Sequence, residues 1–251
     1  MDALSLDGDV VAVIPPPSKT LWAAELPRAL WMGATWWRHR ASLTAAPEGD
    51  GRTVMVLPGL FNTDGSNIVL RRYLAAKGYR VHGWGLGRNR GVRSVGAEAE
   101  RLIARIESLS DQGPVTLIGI SLGGIMARMA AQARPDLVAG VIAIASPYAG
   151  PPRATNVWRA FERLTGERVD DPTVIARSAA IAGPLPCPSA AIWSRNDGLV
   201  AGTICRDDTT PAVEVTSSHL WVQHRPQVLV AVATILAGWP PPVSDQSLAA
   251  R

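Results

Sequence analysis

Ser121 is the middle residue of Gly119-Ile120-Ser121-Leu122-Gly123, a G-x-S-x-G pentapeptide. A serine hydroxyl is a poor nucleophile near neutral pH. It attacks a carbonyl only when a neighbouring base takes its proton, and that base is usually a histidine oriented by a carboxylate. The chain offers four histidines. His39 falls in a helical N-terminal stretch and His82 inside a strand, both structural positions. His224 stands at the start of the last helix, whereas His219 follows a short strand (213–216) by way of Ser217-Ser218. A base that reaches Ser121 must come from the same edge of a sheet, which favours His219. The acid should also lie just past a strand. Ser194-Arg195-Asn196-Asp197-Gly198 supplies Asp197 in a turn after residues 190–193, while Asp207 and Asp208 lie deeper in the connecting segment.

The elements that must hold these residues can be read from periodicity. Residues 115–120 form a short apolar run and 122–133 a helical pattern closed by Pro135. The serine therefore sits on a strand-to-helix turn, where small flanking residues let the backbones approach closely. Upstream, 53–57 and 79–84 read as strands, and 64–77 and 94–109 as helices with apolar residues at three- and four-residue spacing. Ile68, Val69, Tyr73 and Leu74 share one face of the first of these helices, and Gly78 stops it. A further strand covers 138–145. The last helix has Pro226 in its first turn and ends at Gly238 and a proline triplet. Alternating strands and helices of this length imply a parallel sheet covered on both faces. The rhythm breaks over 151–188, where helices at about 155–164 and 172–182 suit a cap over the sheet's carboxyl edge. The expected organisation is an N-terminal arm and helical extension (1–45), a core (46–150 and 189–240) and that cap.

Composition narrows the class. With 251 residues and 47% hydrophobic side chains, the chain can bury one large core. The net charge of +4 is carried almost wholly by arginines spread over several helices, since Lys19 and Lys77 are the only lysines. No continuous basic face results, so nucleic-acid binding is not expected. Cys187 and Cys205 flank one expected strand, so a single bridge is geometrically possible, but two buried free thiols are the favoured reading. The N-terminus lacks a secretory pattern, and no 18-residue apolar run exists to span a membrane, so a cytoplasmic location is expected. Gly83-Trp84-Gly85-Leu86-Gly87 follows a strand but lacks dinucleotide-loop spacing, and reads as a tight loop. No metal or cofactor is expected.

Residues 1–18 read as a loose, proline-containing arm, and the last ten residues as a frayed end. Between 19 and 43 lie Trp22, Trp31, Trp36 and Trp37, four of the nine tryptophans, with Pro27 expected to kink the stretch into two helical pieces. Two uses are open: packing on the core, or an interfacial surface giving peripheral membrane contact.

Together, Val56-Leu57-Pro58-Gly59-Leu60, Gly119–Gly124, Ser194–Gly198 and Ser217-Ser218-His219-Leu220 resemble the α/β-hydrolase superfamily, particularly its bacterial esterase and lipase-like members. The likeness covers roughly residues 53–237, in the order Ser121, Asp197, His219. Pro58-Gly59 stands where the family most often has His-Gly, and tryptophan-rich helix replaces its usual first strands, leaving about six. The resemblance implies backbone oxyanion donors at Leu122 and at Leu60, chosen over Phe61. It also implies cleavage of a small ester with an apolar acyl group. Phe61, Trp158 and Phe161 are the expected pocket side chains. Acyl transfer, thioester cleavage or a catalytically silent interaction module are the alternatives, and oligomeric state is open.

Overall fold

A computed structural model describes residues 14–242. The arm's first thirteen residues and almost all of the expected frayed end lie outside them. Four short helical pieces come first: α1 (Lys19–Ala23), α2 (Glu25–Ala34), a 3-10 turn at Trp36–His39 and α3 (Arg40–Ala45). The expected break at Pro27 is instead at Ala24, which closes α1 and opens α2. Pro27 occupies the first turn of α2, where a backbone N–H has no intrahelical partner, so its missing donor costs nothing.

The core then alternates. Strand β1 (Thr53–Leu57) leads through a 3-10 turn into α4 (Ile68–Ala76), and β2 (Arg80–Gly83) follows. The expected helix over 94–109 is two helices, α5 (Val92–Val95) and α6 (Glu100–Glu107). Gly96 and Ala99 adopt positive φ between them, a left-handed interruption that the apolar spacing runs straight across. Next come β3 (Val115–Ile120), α7 (Leu122–Ala133) and β4 (Val138–Ile144), close to expectation. Helices α8 (Trp158–Thr165) and α9 (Pro172–Ala182) separate β4 from β5 (Ser189–Trp193). Strand β6 (Ala212–Glu214) and α10 (Pro226–Gly238) are the last strand and helix among the described residues.

The six strands form one parallel sheet in the order β2-β1-β3-β4-β5-β6. Its four central strands, β1, β3, β4 and β5, are largely buried on both faces, and alternation assigns each residue to a side. Val54, Val56, Ile118 and Ile120 face a cluster with Leu70 and Leu74 of α4 and Val228, Val232 and Leu236 of α10. Met55, Leu57 and Leu117 face Leu102 and Ile106 of α6 and Met126 and Ala130 of α7. Each fully buried aliphatic side chain contributes about 1.5–3 kcal/mol. Of the face expected on α4, Leu74 is buried and Val69 and Tyr73 are partly buried, but Ile68 is exposed and Leu70 takes the central position.

The glycine run after β2 is a tight loop. The Asp64 carboxylate accepts hydrogen bonds from the N–H groups of Trp84 and Gly85 at 2.9 and 3.0 Å, occupying donors that a phosphate would need. Trp84 itself is fully buried. Both cysteines are free thiols, Cys205 buried and Cys187 only half-buried, because Cys187 lies on the margin of the α6–α7 core cluster.

Candidate active site

Strand register sets the stage. Leu57 of β1 pairs with Gly119 of β3, Ile120 with Ile144 of β4, and Trp193 of β5 with Glu214 of β6. All strands run the same way, so the loops after β1, β3, β5 and β6 open on one edge of the sheet.

Ser121 occupies the turn between β3 and α7 with φ 53° and ψ −119°, a conformation that L-residues rarely adopt. The close approach that forces it is measurable at its flanks. A Cβ on Gly119 would lie 2.3 Å from the Gly123 carbonyl carbon, and one on Gly123 would lie 2.5 Å from the Leu57 carbonyl oxygen. Both obstacles are backbone, so neither can swing aside.

His219 Nε2 lies 3.2 Å from Ser121 Oγ, and His219 Nδ1 lies 2.6 Å from Asp197 Oδ2. The residues expected from the loops after β3, β5 and β6 thus form one continuous hydrogen-bonded row. Asp197 is 2% exposed. Its other oxygen, Oδ1, accepts the N–H groups of Leu199 and Val200 at 2.8 Å each, which leaves Oδ2 aimed at the imidazole. Ser194 Oγ donates to the Ser217 carbonyl at 2.9 Å and accepts the Ser217 N–H at 3.1 Å, tying the acid loop to the histidine loop. Two of the rejected residues are committed elsewhere. Asp207 accepts from the Tyr148 hydroxyl and from Thr209, and His224 Nε2 lies 2.8 Å from the Ser66 carbonyl oxygen.

Burial by itself lowers the basicity of His219. The Asp197 charge and hydrogen bond, with a smaller contribution from the Glu25 charge, outweigh it and hold the imidazole above its ordinary value. For folding, the sign follows directly. This histidine stabilises the native state fully below the unfolded imidazole pKa of about 6.5, and the contribution fades as pH rises through the elevated folded value.

Beside the row, the loop after β1 is held by a residue that periodicity did not single out. Asn89 accepts the Phe61 N–H on its carbonyl at 2.7 Å, and its side-chain amide donates to the Pro58 carbonyl at 2.7 Å. With the Phe61 N–H spent, the Leu60 N–H meets no acceptor among the described residues. Leu122 is the first residue of α7, where a backbone N–H likewise lacks an intrahelical partner.

An apolar cavity of about 150 Å³ adjoins these groups. Leu60, Ser121 and Leu122 line it from the sheet edge, and Trp158, Phe161 and Ile181 line it from the segment between β4 and β5. Phe61, expected as a pocket side chain, is not among the lining residues, since Leu60 takes that place in the turn. Arg177 and Glu167, paired at 2.5 Å, add charge to an otherwise oily wall.

Residues 52–172 match a sequence model described as alpha/beta hydrolase fold. A search of curated proteins finds no match. Among solved structures, a pyrethroid hydrolase from Sphingobium faniae JZ-2 superposes with a TM-score of 0.53 at 20% identity, covering 74% of this chain and 98% of that one. A membrane phospholipase A described as a bacterial virulence factor gives 0.53 at 15% identity, covering 88% and 95%. The monoacylglycerol lipase of Paleococcus ferrophilus gives 0.51 at 17% identity, covering 75% and 96%. At such identities the likeness speaks for the fold. Its parallel six-stranded sheet, its strained serine turn after β3 and the match over residues 52–172 give this chain the α/β-hydrolase fold.

Proposed function

We propose that the chain is a serine hydrolase of carboxylic esters. The observation that carries this reading is the unbroken row from Ser121 Oγ through His219 to Asp197, set against an apolar cavity. Ser121 Oγ attacks the ester carbonyl carbon as its proton passes to His219 Nε2. The N–H groups of Leu60 and Leu122 receive the resulting oxyanion; one such donor is worth about 2.7–4 kcal/mol of transition-state stabilisation. The tetrahedral adduct collapses, the C–O bond to the alcohol breaks, and His219 returns the proton to the leaving oxygen. Water then attacks the acyl-enzyme, gives its proton to His219 and releases the acid, with Ser121 reprotonated. Asp197 fixes the imidazole tautomer and stabilises the imidazolium throughout.

A cavity of about 150 Å³ holds a benzene-sized group, which favours a short or compact acyl chain. The direct test is a fluorophosphonate probe, expected to label Ser121 and to abolish hydrolysis of p-nitrophenyl butyrate in the same proportion. A probe that leaves Ser121 unmodified while hydrolysis continues removes the reading.

Because His219 works as a base only when neutral, activity should rise with pH through its elevated pKa. The acidic limb of kcat/KM is expected above the ordinary imidazole value of about 6.5. A limb centred below that value contradicts the arrangement.

The tryptophan-rich helices favour a membrane-peripheral place of work. Trp36 packs on the core and donates its indole N–H to the His224 carbonyl at 3.0 Å. Trp22, Leu26, Leu30, Trp31 and Trp37 are instead exposed, Trp31 at 69% and Trp37 at 65%. Apolar side chains of this kind beside Arg38 suit the interface of an anionic bilayer. No helix among the described residues is long and apolar enough to cross one. Within this reading the chain acts from the cytoplasmic side. Replacing Leu30, Trp31 and Trp37 together by serine should release the protein from sedimenting anionic liposomes. Undiminished sedimentation of the triple variant ends the idea.

A further inference from the structure

We infer that Glu25, in the N-terminal helix α2, is a positioning residue that locks the loops carrying Asp197 and His219 into one geometry; the inference rests on the hydrolase reading for its kinetic consequence. Glu25 is charged yet only 3% exposed. Its Oε1 accepts the Gly198 N–H at 2.7 Å, and its Oε2 accepts the Leu220 N–H at 2.9 Å. Gly198 directly follows Asp197, and Leu220 directly follows His219. One carboxylate therefore spans the two loops, each oxygen taking the backbone donor next to one member of the row.

Arg28, one helical turn later, completes the clamp. Its Nη2 donates to Glu25 Oε1 at 2.9 Å, and its Nη1 donates to the Asn196 carbonyl at 2.5 Å. Asp197 is thus gripped through both chain neighbours, Asn196 and Gly198. The docking is tight on the other side too. A Cβ on Gly198 would lie 2.4 Å from the Leu21 carbonyl oxygen of α1, so the helix end and the acid loop touch backbone to backbone.

The chemistry favours a positional role over a merely stabilising one. A buried carboxylate held by charge-assisted bonds sits in a narrow, directional well, unlike an apolar side chain that tolerates sliding. The distance between imidazole and carboxylate, and hence between Nε2 and Ser121 Oγ, depends on loops that share this anchor. Displacement of about 1 Å at a catalytic group costs on the order of 10²-fold in rate.

The test compares the full chain with Glu25→Gln and Glu25→Ala, counting active sites by fluorophosphonate titration. Glu25→Ala is expected to lower kcat for p-nitrophenyl butyrate by about 10²-fold with KM within about twofold. Glu25→Gln, which keeps the size but turns an amide donor toward one of the two N–H groups, should fall between. In proton spectra, the low-field resonance of the His219 Nδ1 proton, assigned by its loss in His219→Gln, should broaden or move upfield in both variants. Unchanged kcat per titrated site together with an unshifted resonance overturns the inference, even if thermal stability drops. Should Glu25→Ala fail to fold, Glu25→Gln decides by the same readouts. If the wild-type chain hydrolyses no ester, the hydrolase reading falls, and the resonance alone decides the role of Glu25.

Discussion

Ser121→Ala is expected to fold normally and to lose about 10⁶-fold in kcat toward p-nitrophenyl esters, the scale on which removing a serine nucleophile acts. The substitution deletes one oxygen and leaves the backbone turn intact. What remains should be residual catalysis of about 10³–10⁴ over water, supplied by the Leu60 and Leu122 N–H groups and by binding in the cavity. Alanine also keeps the left-handed turn at φ 53°, which costs the same strain as serine. Far-ultraviolet circular dichroism and thermal midpoint should therefore match the wild type while hydrolysis disappears. Hydrolysis within tenfold of wild type would place the chemistry elsewhere.

Asp197→Asn comes next, with an expected fall in kcat of about 10⁴-fold and little change in KM. Its shape is conserved, and Oδ1 can still accept the Leu199 and Val200 N–H groups. At the other position an amide NH2 would face His219 Nδ1, where an acceptor now lies at 2.6 Å. The imidazole would respond by placing its proton on Nε2, the nitrogen that must be free to take the proton from Ser121. Steady-state kinetics of this variant across pH would read the defect directly. A loss smaller than about tenfold would mean that the carboxylate orients nothing.

Much of this was open to inspection in the linear chain, and the reasons are physical. Strand β3, the turn at Ser121 and helix α7 were legible because a short apolar run abuts a period-3.6 pattern there, with glycines where backbones must touch. The nearness of Asp197 and His219 to Ser121 was legible because loops that follow parallel strands share one edge of the sheet. The interruption between α5 and α6 was hidden, since its apolar spacing continues through a left-handed turn that sequence period does not register. Glu25 was hidden for a different reason. Its two backbone partners lie 173 and 195 residues away, and a lone glutamate in a helix reads as solvated surface. Asn89 escaped likewise, because a loop asparagine gives no hint that its carbonyl, 2.7 Å from the Phe61 N–H, fixes which donor stays open. Four tryptophans were seen at once, but which of them packs and which faces solvent depended on how the helical pieces dock.

The segment between β4 and β5 has a consequence for how such a protein diversifies. Trp158, Phe161, Val174 and Ile181 all reach the cavity from this one stretch, whereas Ser121, Asp197 and His219 come from the loops after β3, β5 and β6. That stretch shapes the cavity while the strand register aligns the row, and the two meet where Ala154 and Asn156 hydrogen-bond the residues just after Asp197. The shape of the cavity can in this way vary separately from the row beside it.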